Sequence, residues 1–230
     1  MKKLFNYSIL LLLSLIFLSC GENSIDYNEE RLFIDHGETK LGKMDFSKNV
    51  SYKGELYSGE IVNYYDGTSQ EEWVRNFKDG VIDGNLKQWY EDGQLQGEGN
   101  MKNGKENGKF KSYYENGQLK SEVNFIFGIQ DGNTKTYYEN GGKLKLDVIF
   151  KMGKIDGNLK SYYENGQLEA EGYLKMGKED GNIKEYYENG QLKISSVFKM
   201  GKKDGNEKEY YEDGRLKRDD NFKMGEKIRK

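Results

Sequence analysis

From Tyr57 onward, apolar and polar residues alternate in short runs, and each run is ended by a glycine. Alternation with a period of two marks strands that bury one face. After the first twenty residues no segment sustains the 3.6-residue spacing of an amphipathic helix, so almost no helix is expected.

The runs recur. Asp83-Gly84-Asn85, Asn107-Gly108-Lys109, Asp131-Gly132-Asn133, Asp156-Gly157-Asn158, Asp180-Gly181-Asn182 and Asp204-Gly205-Asn206 open successive units of about 24 residues. A degenerate first unit begins near Ser58-Gly59, which makes about seven units. In the unit from Gly108, Lys109 to Tyr114 and Leu119 to Phe125 read as two strands flanking Asn116-Gly117. Asn-Gly between alternating runs predicts a two-residue type I′ turn, with φ > 0 at both central residues. Gly-containing links such as Lys151-Met152-Gly153-Lys154 then reverse the chain again.

That turn predicts a register. Glu115 faces Gln118, Tyr114 faces Leu119 and Tyr113 faces Lys120; further out, Lys111 faces Glu122 and Lys109 faces Asn124. The same count sets Lys87 opposite Glu98, Lys160 opposite Glu171 and Lys208 opposite Asp219. Opposite charges facing across strands favour this register, and a slip of one residue would destroy every pair.

Alternation then assigns two faces. One carries Tyr114, Leu119, Val123 and Phe125, with equivalents Leu159, Tyr163, Leu168, Leu174, Ile183, Tyr187, Leu192 and Phe198. Small residues Ser112, Ser121, Ala170 and Gly172 share it and leave room for curvature. The other carries Lys, Glu and Gln with one aromatic per unit: Trp89, Tyr113, Tyr137, Tyr162, Tyr186 and Tyr210. The expected fold is all-β: tandem β-hairpin repeats forming one elongated, twisted antiparallel sheet, curled so that the apolar face becomes a shared core.

Composition narrows the chemistry. The 230 residues include 29 Gly and 18 Tyr, no Pro and a single Cys. A net charge of -3 with both signs interspersed argues against nucleic acid as a partner. One Cys cannot form an internal disulfide, and one histidine, His36, cannot build a His-based metal site. Glu115, Glu139, Glu164, Glu188 and Glu212 occupy the same exposed turn flank, whereas a catalytic pair needs one special environment. Asp-Gly-Asn lacks the spacing of a calcium loop and is expected to form ordinary turns. No phosphate-binding loop is present. The sequence therefore predicts no catalytic residue, metal or cofactor. The row from Trp89 to Tyr210 is the candidate binding stripe, because tyrosine is enriched at interfaces. β-propensity and covering of lysine stems would also account for it.

The N-terminus has the layout of a signal peptide: Lys2 and Lys3, then an apolar stretch dense from Ile9 to Leu18, then Ser19-Cys20. Its roughly ten residues fall short of the ~20 that span a bilayer. Phe17-Leu18-Ser19-Cys20 resembles the lipobox of bacterial lipoproteins, with Phe17 where Leu is usual. The resemblance implies cleavage before Cys20, lipidation of Cys20, and anchoring in the cell envelope, at the outer membrane or surface in a cell with two membranes. The chain divides into a signal peptide (1–19), a lipidated Cys with polar tether and capping segment (20–56) and the repeat array (57–230).

Tyr113-Tyr114-Glu115-Asn116-Gly117-Gln118-Leu119-Lys120 and Tyr162-Tyr163-Glu164-Asn165-Gly166-Gln167-Leu168 resemble the MORN repeat in its bacterial variant form. The family's hairpins stack into ribbon-like sheets, in agreement with the pattern above. Its members serve as scaffolds and contact proteins or membranes. Some bacterial relatives bear the label of YwqK-type antitoxins, and a lipid-kinase label spreads from enzymes that carry the repeats beside a kinase domain. The expected function is a non-enzymatic envelope lipoprotein whose sheet binds a protein or polymer. An antitoxin that neutralises a toxin is the alternative, and a membrane-lipid-binding module comes third.

Overall fold

The computed structural model describes residues 32–34, 37–39, 51–52 and 55–228. Cys20, the apolar leader and His36 lie outside the described residues. From Gly59 to Ile228 the chain lays down 18 strands of one open antiparallel sheet, with no helix. Leu32–Ile34 pairs with Gly37–Thr39 and meets the repeats at Phe33 opposite Val62. Among the described residues, Ser51–Tyr52 and Glu55–Leu56 pair with each other alone.

The long-range register follows the charges. Lys111 faces Glu122 and Lys109 faces Asn124; Lys87 faces Glu98, Lys160 faces Glu171 and Lys208 faces Asp219. Pairing between hairpins continues the pattern. Glu98 also faces Lys111, Glu122 faces Lys135, Asp147 faces Lys160 and Glu171 faces Lys184. One row of alternating charge thus crosses the sheet from Lys87 to Lys184. Its contacts, such as Lys184–Glu171 at 3.4 Å and Lys135–Asp147 at 3.6 Å, are part-exposed and individually worth little. Their effect is to make the wrong register costly.

At the turns the expectations need correction. Tyr113 faces Leu119 rather than Lys120, with a bulge between Ser112 and Tyr113 that restores the outer register. The Tyr114 N–H donates to the Gln118 carbonyl at 2.8 Å, and the Gly117 N–H donates to the Tyr114 carbonyl at 2.9 Å. Only Gly117 has positive φ (78°); Asn116 does not. This is a type I turn followed by a left-handed glycine, a three-residue loop rather than type I′. Asn116 is used for its side chain: Oδ1 accepts the Gln118 N–H at 2.9 Å, an Asx turn.

The type I′ turns lie at the other edge. Met152 and Gly153 have φ of 50° and 75°, with Lys151 opposite Lys154. Asp79, Asn103, Phe127, Met176, Met200 and Met224 occupy the same left-handed position, each followed by glycine.

Asp-Gly-Asn does not form turns either. Val81–Trp89, Lys154–Tyr162 and Lys202–Tyr210 run straight through it as single strands, with register shifts on the facing strand. Gly157 has φ 152°, and a Cβ there would lie 2.8 Å from the Cβ of Ile149. The neighbouring strand thus approaches too closely for a side chain. The aspartate reaches the next unit instead: Asp131 Oδ2 accepts the Met152 N–H at 3.0 Å, and Asp83 Oδ2 accepts the Asn103 N–H at 3.0 Å.

The core occupies the predicted face. Leu146, Val148, Phe150, Ile155, Leu159 and Leu174 form one buried cluster, while Val123, Ala170 and Ile183 are also buried. Tyr114, Leu119, Phe125, Tyr163, Leu168, Tyr187, Leu192 and Phe198 are only half-buried, because a curled single layer covers its centre better than its rims. Gly172 is a socket: a Cβ there would come within 2.2 Å of Ile183 Cδ1. Towards the C-terminus the core turns ionic. Glu207 is 2% exposed and is bound by Ser196, Lys203 and Arg218.

Candidate functional site

The six residues of the aromatic row share one structural position. Trp89, Tyr113, Tyr137, Tyr162, Tyr186 and Tyr210 each end an outgoing strand, followed by an Asx turn in every case but Tyr137, whose loop carries the extra Gly142. All are half-buried on the charged face. The structure brings them into a regular row at one edge of the sheet, with about 9.6 Å per two-strand unit.

Two of the five phenols bind carboxylates of the charged row. Tyr113 donates to Glu98 Oε1 at 3.1 Å and Tyr186 to Glu171 Oε1 at 2.9 Å. Burial, reinforced by Glu171, pushes the Tyr186 phenol up to about 12. Burial and Glu98 raise Tyr113 in the same way; burial and Glu122 raise Tyr137. These three phenols stay neutral over the whole physiological range.

The second aromatic of each unit, placed on the core face by alternation at Tyr114, Tyr163 and Tyr187, does more through its hydroxyl. Tyr65 donates to the Trp89 carbonyl at 2.8 Å, Tyr90 to Tyr113, Tyr114 to Tyr137, Tyr138 to Tyr162, Tyr163 to Tyr186 and Tyr187 to Tyr210. Every acceptor is the main chain of a residue in the aromatic row. Each unit is thereby stapled to the next by a bond that spans 23 or 24 residues. Sequence reasoning placed Tyr65, Tyr90 and Tyr138 in no such role. The usable signal was that a buried tyrosine hydroxyl normally finds a partner. Asn116, Asn165 and Asn189 add side-chain bonds to the carbonyls of Glu139, Glu188 and Glu212.

The row can therefore offer ring edges and faces, flanked by carboxylates and lysines of alternating sign. Among the described residues, no group of three His, Cys, Asp or Glu is placed to hold a metal ion. The repeated turn-flank glutamates from Glu115 to Glu212 sit on the exposed rim.

Comparison with known families agrees with this architecture. The family model described as MORN repeat variant matches residues 82–103, 106–126, 130–151, 155–176, 179–200 and 203–224. No curated protein matches the chain.

Proposed function

We infer the function from one premise: this chain belongs to the MORN repeat variant family. It is a non-enzymatic envelope lipoprotein whose sheet binds a protein or polymer partner. The observation that carries this is the aromatic row itself. Six half-buried aromatics stand at equal intervals on one face, beside a row of alternating charge. A partner lying along it would gain a little from each unit, and the contributions would combine through avidity.

Cys20 supplies the anchor, since it ends an apolar leader with the order of a lipobox. Two or three acyl chains hold a protein stably, where one does not. Cys20→Ser should abolish labelling by a palmitate analogue; equal labelling of the variant would remove the anchor from this reading. Binding is tested by replacing Tyr113, Tyr137 and Tyr162 with Ser, singly and together, and recovering the partner from envelope extracts. Stepwise loss with an unchanged circular dichroism spectrum is expected. Full recovery by the folded triple variant would return the row to a purely structural role.

A further inference from the structure

The repeats are not all alike at the opposite edge. On the charged face, beside the type I′ tips, equivalent positions hold Asn76, Asn100, Asn124 and Asn221. Asn76 Nδ2 donates to the Asn85 carbonyl at 3.0 Å and Asn124 Nδ2 to the Asn133 carbonyl at 2.6 Å. In three consecutive units the same position holds Ile149, Tyr173 and Val197, exposed at 38%, 40% and 36%. Ile149 and Val197 cannot make the bond that asparagine makes, and the Tyr173 hydroxyl instead reaches Asp156 Oδ1 at 3.5 Å.

The tips vary as well, and Phe127 and Met224, in the Asn124 and Asn221 units, are also left-handed and 55% exposed. Asp79 and Asn103 suit a left-handed backbone. Met152, Met176 and Met200 do not, yet they occupy it at φ of 50–52° and are 73%, 51% and 51% exposed. Lysines close the strip on both sides as like-charged cross-strand pairs: Lys151 opposite Lys154, Lys175 opposite Lys178 and Lys199 opposite Lys202. Lys102 also faces Lys105, but among the described units only these three combine an apolar strip residue, an exposed left-handed Met and a lysine pair. Outliers of this kind collect where a partner is engaged.

We propose that Ile149, Met152, Tyr173, Met176, Val197 and Met200 form a docking strip for an acidic polypeptide segment carrying apolar side chains. The proposal rests on the partner-binding reading above but uses a separate surface at the far end of the strands. Methionine adapts to irregular apolar partners, and the paired lysines select carboxylates. From Met152 to Met200 the strip spans two units, about 19 Å, which an extended segment of about six residues covers. Units lie about 9.6 Å apart, close to the rise of about 9.3 Å per three-residue turn of a polyproline II segment, so an apolar side chain at every third position of such a segment meets each one.

Sheet twist argues for a polypeptide over a membrane. Each strand rotates by about 20–25° relative to its neighbour, so the four strand steps between Met152 and Met200 turn the strip by roughly 90°. A flat bilayer meets only part of such a line, whereas a chain winds along it.

The test uses the purified full chain and a fluorescent peptide of four Leu-Glu-Glu triplets, followed by anisotropy. Binding should weaken at least tenfold in the variant combining Ile149→Asn, Tyr173→Asn and Val197→Asn. Asparagine is what the chain itself carries at the equivalent positions, so this variant keeps the fold, which circular dichroism checks. A Ser-Glu-Glu peptide should bind at least tenfold more weakly than the leucine peptide. Equal affinity of the triple variant, or no binding by the parent chain, overturns the strip. So does strip-dependent binding of phosphatidylglycerol vesicles without binding of the peptide. Recovery of the envelope partner by the strip variant, with its loss in the Tyr113/Tyr137/Tyr162 variant, would refute the strip and leave the partner-binding reading intact.

Discussion

The hydroxyl of Tyr114 donates to the main-chain carbonyl of Tyr137 at 2.8 Å, which ties one hairpin to the next. The contact recurs along the array, so the stack is held by directional bonds as well as by its apolar face. Tyr114→Phe removes only the donor. It should cost about 1 kcal/mol, the net worth of one hydrogen bond. Tyr113→Phe loses a bond to the part-exposed Glu98 and should cost less. Urea unfolding of the two variants checks this, and equal midpoints would deny the staple its role.

The two turn classes should answer oppositely to substitution. Gly117→Ala forces a Cβ into a left-handed backbone and should destabilise by roughly 1 kcal/mol. Met152→Asn puts a tolerant residue into the same kind of backbone and should stabilise by up to about 1 kcal/mol. Thermal melts of both variants decide the matter. A destabilised Met152→Asn protein would show that the methionine side chain supports the fold.

The Gly172 socket predicts a compensating pair. Gly172→Ala meets the Ile183 tip and should cost about 1–2 kcal/mol through overpacking. Ile183→Val removes the crowding Cδ1, so the double variant should recover part of that loss. A double-mutant cycle measures the coupling. Strict additivity would mean that the two residues do not meet in solution.

Alkali should loosen the array through its phenols. Tyr186 is held neutral up to about 12, by burial first and then by Glu171. A raised phenol pKa favours the protonated form in the fold. Its contribution is complete below the ordinary tyrosine value near pH ~10 and is lost as pH rises from there through about 12. Solvent screening keeps the effect modest at this half-buried site. Urea midpoints from about pH 8 upward should fall less steeply for Tyr186→Phe than for the parent, since the variant lacks that titration. Identical slopes would refute the assignment.

The period, the hairpins and the outer register are local properties, and the sequence by itself determined them. Lys111 and Glu122 lie eleven residues apart and find each other within one hairpin, so alternation and charge suffice to pair them. Cys20 and the apolar stretch before it lie outside the described residues. The tertiary structure decided everything that depends on one unit lying against the next. Asn-Gly and Met-Gly both offer a left-handed glycine, and propensity favours type I′ at the first. The Asx bond of Asn116 and the bulge beside Tyr113 select the three-residue loop there. Asp131 binding the Met152 N–H and the Gln130 carbonyl binding the Gly153 N–H hold the type I′ tip in the other place. The tyrosine staples and the exposed strip of Ile149, Tyr173 and Val197 arise in the same way. Their partners lie a full repeat away or on a neighbouring strand, where a linear pattern carries no distance information and only stacking brings the atoms together.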